Sequence, residues 1–273
     1  MEFAAVAAAR LLIPAQANSS AGDRQQKKWN DFYATQAASY AINVADDLTQ
    51  QLMLRPEPVL FWSNNIRGGE TNGSVFVWTR DGRAEVVGTV FSYLDRSDPR
   101  QRFIAHSFHS LSRSPLQAML AERKSWSIDV PGIEPQRLDE AATPASTAQL
   151  RLVQMREIAR QFRAFTYLEN VEHELRLLPQ PIYRQPDKVG DVLDGALFAF
   201  VTDSDPELLV LIEARLHGDR IGWQYAPARF TDLTVKLRHN EAKVWAYERG
   251  SAPAQPKTPY LSGRVSAHPA HFE

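Results

Sequence analysis

Glu213 and Arg215 interrupt an otherwise apolar run, Leu208-Leu-Val-Leu-Ile-Glu-Ala-Arg215. On a strand, residues two apart share a face, so both should point the same way as Leu209 and Leu211. A charge in such surroundings needs a partner, because isolation in low dielectric costs several kcal/mol. Arg229, on the next expected strand, could supply one. Two readings follow. One is a ligand-binding or acid/base cluster in a cavity; the other is an ion pair at a sheet end facing solvent.

His106 is a candidate general base. With His109 it forms His-x-x-His, which on a helix could share a metal, with Glu122 or Asp129 as a third ligand. The Arg102–Ser112 segment reads as a strand, where residues three apart face opposite sides. No metal and no cofactor is therefore assigned. The competing reading for either ring is a hydrogen-bonded structural histidine. Trp62, Trp78, Trp126, Trp223 and Trp245 fall on expected strands. They could line a groove for a sugar or another planar ligand, but strand aromatics are more often core. Asp194-Gly195 and Asn72-Gly73 read as turns in which glycine supplies a positive φ. Asp203-Ser-Asp-Pro206 is also a turn, without the spacing of a calcium loop. Gly-x-Ser-x-Gly, phosphate-loop, Gly-x-Gly-x-x-Gly and His-Glu-x-x-His patterns are all missing.

The elements that must position these residues follow from periodicity. Trp29, Phe32, Tyr33, Ala37, Tyr40, Val44, Leu48 and Leu52 recur at helical steps, predicting a helix over Arg24–Met53. It should stop before Arg55-Pro-Glu-Pro58. Leu152, Met155, Ile158, Phe162 and Phe165 predict a second over Thr147–Leu168, with Ser146 and Gln149 as its capping box. Strands are expected after each. Asp81-Gly82 between two apolar runs marks a hairpin.

The two stretches also echo each other. Pro56-Glu-Pro58 matches Pro179-Gln-Pro181, and Gly73-Ser-Val-Phe76 matches Gly195-Ala-Leu-Phe198. Phe108-His-Ser-Leu111 matches Phe230-Thr-Asp-Leu233, and Trp126 matches Trp245. The expected fold class is α+β: two duplicated helix-plus-antiparallel-sheet halves, cystatin-like or hot-dog-like in outline, forming one pseudo-twofold body. Residues 1–22 would be a leader, 23–129 the first repeat and 130–146 a linker. Residues 147–249 would be the second repeat and 250–273 a disordered Pro-rich tail.

Composition narrows the function classes. The 273 residues carry a net charge of −1, so no bulk field attracts nucleic acid. There is no cysteine, which removes disulfides and thiolate chemistry. No apolar run approaches the ~20 residues needed to span a bilayer. The Ala-rich start ends in Ala15-Gln16-Ala17, which resembles an export-signal cleavage site, although no basic residue precedes its apolar part. An exported or periplasmic protein is expected; without cleavage it would be cytoplasmic.

Seven segments carry a resemblance: Phe61–Asn64, Phe76–Thr79, His106–Leu111, Pro131–Glu134, Arg176–Pro181, Asp194–Val201 and Leu211–Arg215. Through them the chain resembles a family of uncharacterised planctomycete proteins over about Leu54–Glu248. That resemblance implies a bacterial, exported protein and brings no activity or site residue. The leading expectation is a non-enzymatic binding or scaffolding protein of the bacterial cell envelope, with a small-molecule or protein ligand. The alternative is a hydrolase-type enzyme with Glu213, Arg215, Arg229 and His106 in a cleft between the halves.

Overall fold

Trp29, Tyr33 and Ala37 lie four residues apart and are all buried, the stripe expected of an amphipathic helix. In a computed structural model the helix α1 covers Ala21–Ala38 and ends there. The described residues are 21–271, apart from residues 46, 65–69, 121–122, 170, 187 and 251–257. The leader up to residue 20 and Glu122 lie outside them.

After α1 the chain runs as strands: β1 (Tyr40–Val44), β2 (Asp47–Gln51), β3 (Met53–Leu54), β4 (Leu60–Asn64) and β5 (Thr71–Arg80). β6 (Arg83–Leu94), β7 (Gln101–Ser110), β8 (Leu116–Leu120), β9 (Arg123–Ile128) and β10 (Gln136–Arg137) follow. The second helix, α2, spans Ala148–Arg160. β11 (Phe162–Leu168), β12 (Val171–Leu177), β13 (Tyr183–Arg184), β14 (Val192–Thr202) and β15 (Asp205–His217) come next. β16 (Arg220–Arg229), β17 (Val235–His239), β18 (Ala242–Tyr247) and β19 (Tyr260–Pro269) are the last strands among the described residues.

This overturns the expected α+β halves. Strand makes up 57% of the structure and helix 13%, in curled antiparallel sheets. Both helices were expected too long, for one reason. Residues four apart lie on one face of a helix and equally on one face of a strand. Tyr40, Ile42 and Val44 alternate buried with half-buried Ala41 and Asn43, a period of two, so the chain leaves the helix at Ser39. Phe162 and Ala164 likewise begin β11. Thr147, not Ser146, caps α2 by accepting from the Leu150 N–H at 3.3 Å. The tail read as disordered supplies the ten-residue β19. The stretch read as a linker supplies β10 and the buried Ile133.

Two curled sheet systems result. The first orders β19-β7-β6-β5-β3, with β4 also on β5, beside a four-stranded sheet β2-β1-β8-β9. The second is continuous, β10-β16-β15-β14-β12-β11-β17-β18, with β13 on β14. Its continuity comes from β12, which pairs with β11 and, through Arg176 and Leu177, with β14.

What recurs is the strand register. Phe76 faces Gly88, and 122 residues later Phe198 faces Val210. Ala118 faces Trp126, and 119 residues later Leu237 faces Trp245. The three-residue difference is absorbed between Leu94 and Gln101, where the matching turn joins His217 to Arg220 directly through Gly218-Asp219. Val90 pairs His106 where Ile212 pairs Tyr225. The sequence match of Phe108 to Phe230 is therefore out of register, and Phe108 takes the place of Pro227.

Alternate faces of the central strands serve different cores. Phe76 and Trp78 join α1 inside the first curl, and Phe198 and Phe200 join α2 inside the second. Val75, Val77, Leu197, Ala199, Val201, Leu209 and Leu211 form a third core where the sheets face each other. A strand covered on both faces reads as a continuous apolar run, as β14 and β15 do. The sheets also exchange edges. β10, which follows β9, pairs with β16 of the second system, and β19, which follows β18, pairs with β7 of the first.

Gly73 and Gly195 sit inside β5 and β14, not in turns, and neither has a positive φ. Glycine is there for room. A Cβ on Gly73 would stand 2.5 Å from the Phe91 Cβ, and one on Gly195 would stand 3.2 Å from the Glu213 Cγ. The turns that do use positive φ include Asp81-Gly82, at 52° and 85°, as the hairpin reading anticipated.

Candidate functional site

Glu213 lies on the face of β15 that meets the first sheet, 2% exposed, opposite Gly195. Its partner comes from the other sheet. Arg83 donates from Nε to Glu213 Oε1 at 2.8 Å and from Nη1 to Glu85 Oε1 at 3.0 Å. Gln224 donates to Glu213 Oε2 at 2.7 Å. Burial disfavours the Arg83 charge, but Glu213 and Glu85 more than offset that and raise its pKa. Arg80 approaches Glu85 at 3.4 Å and Arg215 approaches Glu213 at 3.8 Å. Arg215 mainly holds Asp191, at 2.7 Å. Arg83 Nη2 and Glu85 Oε2 are buried with no hydrogen-bond partner among the described residues. This cluster bridges two sheets. Arg83, Glu85 and Glu213 are all buried, so their ion pairs do not face solvent at a sheet end.

The remaining candidates lie elsewhere. His106 faces the first core, where its Nδ1 shares a hydrogen bond with the Tyr40 hydroxyl. Burial pushes the ring down to about 4. His109 is three residues further along a regular strand and points to the opposite face, as strand alternation requires. Among the described residues no group of three or more His, Cys, Asp or Glu is placed to hold a metal. Asp194, read as a turn residue, is buried and clasped by Arg151 at 2.9 Å and Arg184 at 2.7 Å. It ties α2 to β14. Trp62, Trp78, Trp126 and Trp223 are core residues.

Arg229 marks a different place. The end of β16 meets the end of β7, the Pro131–Gln136 segment, β18 and the start of β19 around a cleft of about 430 Å³. The Arg229 guanidinium lies between two rings, 3.7 Å from the Tyr247 centroid and 4.1 Å from the Tyr260 centroid. Such stacking holds a cation without neutralising it. Its one hydrogen bond among the described residues is long, 3.5 Å to the Thr231 carbonyl. The nearest carboxylate, Asp232, stands 4.0 Å away and is 56% exposed.

His109 lines the same cleft. Its Nδ1 is 2.9 Å from the Ser110 carbonyl, which can only accept, so that nitrogen carries the proton. Burial chiefly, with the Arg229 charge beside it, holds the ring down to about 4, hence neutral at pH 7. Nε2 is then an acceptor. Pro131, Ile133, Pro227, Val244, Trp245 and Pro259 give the cleft apolar walls.

Of the four sequence candidates, only Arg229 belongs to this cleft. Glu213 and Arg215 are at the inter-sheet cluster and His106 is in a core. Sequence reasoning missed Tyr247 and Tyr260 as the clamp on Arg229. Tyr260 sits in the Pro-rich tail, whose prolines hid a ten-residue strand.

In comparisons with protein-family models, curated proteins and solved structures, nothing matches this chain.

Proposed function

We propose that this is a non-enzymatic binding protein that holds a small organic anion in the Arg229 cleft, and that it works at the bacterial cell envelope. One observation carries the binding reading: a buried arginine, clamped by two tyrosines and only weakly paired, on the wall of an apolar cleft. A cation in that position is set to meet an anion. The hydrolase-type alternative called for Glu213, Arg215, Arg229 and His106 in one cleft, and those residues are divided among three places: the inter-sheet cluster, the Arg229 cleft and the first core. The envelope location rests on the Ala-x-Ala leader, and an intact Met1 on the mature protein would overturn it. Among the described residues no helix is long and apolar enough to cross a membrane.

The binding reading is tested by ligand-observed NMR against a mixed set of anionic and neutral fragments. Anionic hits are expected, and they should vanish with Arg229→Gln. Hits indifferent to that change, or no hits at all, would refute it.

A further inference from the structure

The cleft presents two polar groups of opposite hydrogen-bonding character. Arg229 only donates and carries charge. His109 Nε2, with its ring neutral and its Nδ1 proton committed to Ser110, only accepts. Both flank one ring: Tyr260 lies 4.1 Å from the Arg229 guanidinium and 6.3 Å, centroid to centroid, from His109. A simple anion such as sulfate would satisfy the first group and leave the second facing a lone pair. An amine would satisfy the second and be repelled by the first. A molecule that suits both must accept at one end and donate within about a ring's width of it. The rest of it must be apolar to lie against Ile133, Val244 and Trp245.

Resting on the reading that this cleft is the binding site, we infer that its ligand is a hydroxycarboxylate with an apolar body. The carboxylate faces Arg229, and a hydroxyl on the same or neighbouring carbon donates to His109 Nε2. Burial of His109 supports this, because a ring pushed down to about 4 is a neutral acceptor near pH 7, where the carboxylate is ionised.

Isothermal titration of the full chain with 3-phenyllactate tests the inference against two analogues. 3-Phenylpropionate lacks the hydroxyl, and methyl 3-phenyllactate lacks the charge. Phenyllactate is expected to bind best. The ester should lose about ten- to a hundredfold, as for a charged hydrogen bond, and the deoxy acid about three- to tenfold. In His109→Phe the acid and its deoxy analogue should bind alike. The ligand-side comparison on the unaltered protein stands even if that variant folds poorly. Equal binding of acid and ester, no effect of the hydroxyl, or no binding of phenyllactate would each overturn the inference. Failure of this class leaves the binding reading standing if fragments of another class still depend on Arg229; if no fragment binds, both fall.

Discussion

Replacing Arg83 by methionine would leave Glu85 and Glu213 buried between the sheets with no cation bridging them. Breaking a buried pair by removing one partner costs about 3–5 kcal/mol, most of it the stranded charge. Urea denaturation of Arg83→Met should show that loss. Adding Glu85→Gln and Glu213→Gln removes the stranded charges while keeping an acceptor for Gln224, and should recover most of it. If the triple variant is no better than the single one, the charges are not what the cluster balances. Half of this cluster was legible: charges at 213 and 215 stood out against an apolar run. The same two-residue spacing, Arg83-x-Glu85, was equally present but opens a strand just after a turn, where charges are ordinary. That Arg83 and Glu213 meet, 130 residues apart, follows only from the docking of two sheets. Gly73 and Gly195 were legible as special positions, though the physical reason was room for Phe91 and Glu213 and not backbone freedom.

At the scale of elements, β19 covers the outer edge of β7 from Gln101 to His109. Deleting residues 258–273 would expose that edge, a template for pairing with other chains. Hydrogen exchange should show protection falling along β7 while β14 and β15 keep theirs, and the shortened protein should self-associate. Unchanged protection of β7 would mean that β19 adds nothing to the sheet. Tyr260 leaves with the strand, so ligand binding in the Arg229 cleft should weaken as well. The elements were partly legible. Asp81-Gly82 placed the turn between β5 and β6 correctly, whereas four-residue apolar spacing could not tell the end of a helix from the start of a strand. Proline content misjudged the tail, because Pro259 stops just short of β19 and Pro269 is its last residue, leaving the strand interior free of proline.

For the molecule as a whole, two buried histidines set an acid limit. His106 and His109 are each pushed from 6.5 to about 4, chiefly by burial. The unfolded chain then binds more protons than the folded one between those values, so stability rises with pH across that window. The contribution is complete above 6.5 and is lost as pH falls toward 4, at roughly 3 kcal/mol per histidine at most. Chemical denaturation from pH 7 to 4 should show this decline, and His106→Phe should flatten part of it. A profile level over that range would contradict the burial of both rings. The Phe76/Phe198 and Trp126/Trp245 offsets match the recurrence of register, whereas the Phe108/Phe230 match does not. The curling of the sheets was not legible, because curl depends on which edges meet.

The exchanged edges bear on how the chain is made. A ribosome delivers β7 long before β19, so the first sheet must wait, its outer edge open, until Tyr260–Pro269 has left the exit tunnel. The second sheet meets its crossing strand early, since β10 precedes β16. Synthesis is therefore unequal for the two: the part translated first is the last to be finished, and any chain released early carries an uncovered edge of the kind that chaperones hold.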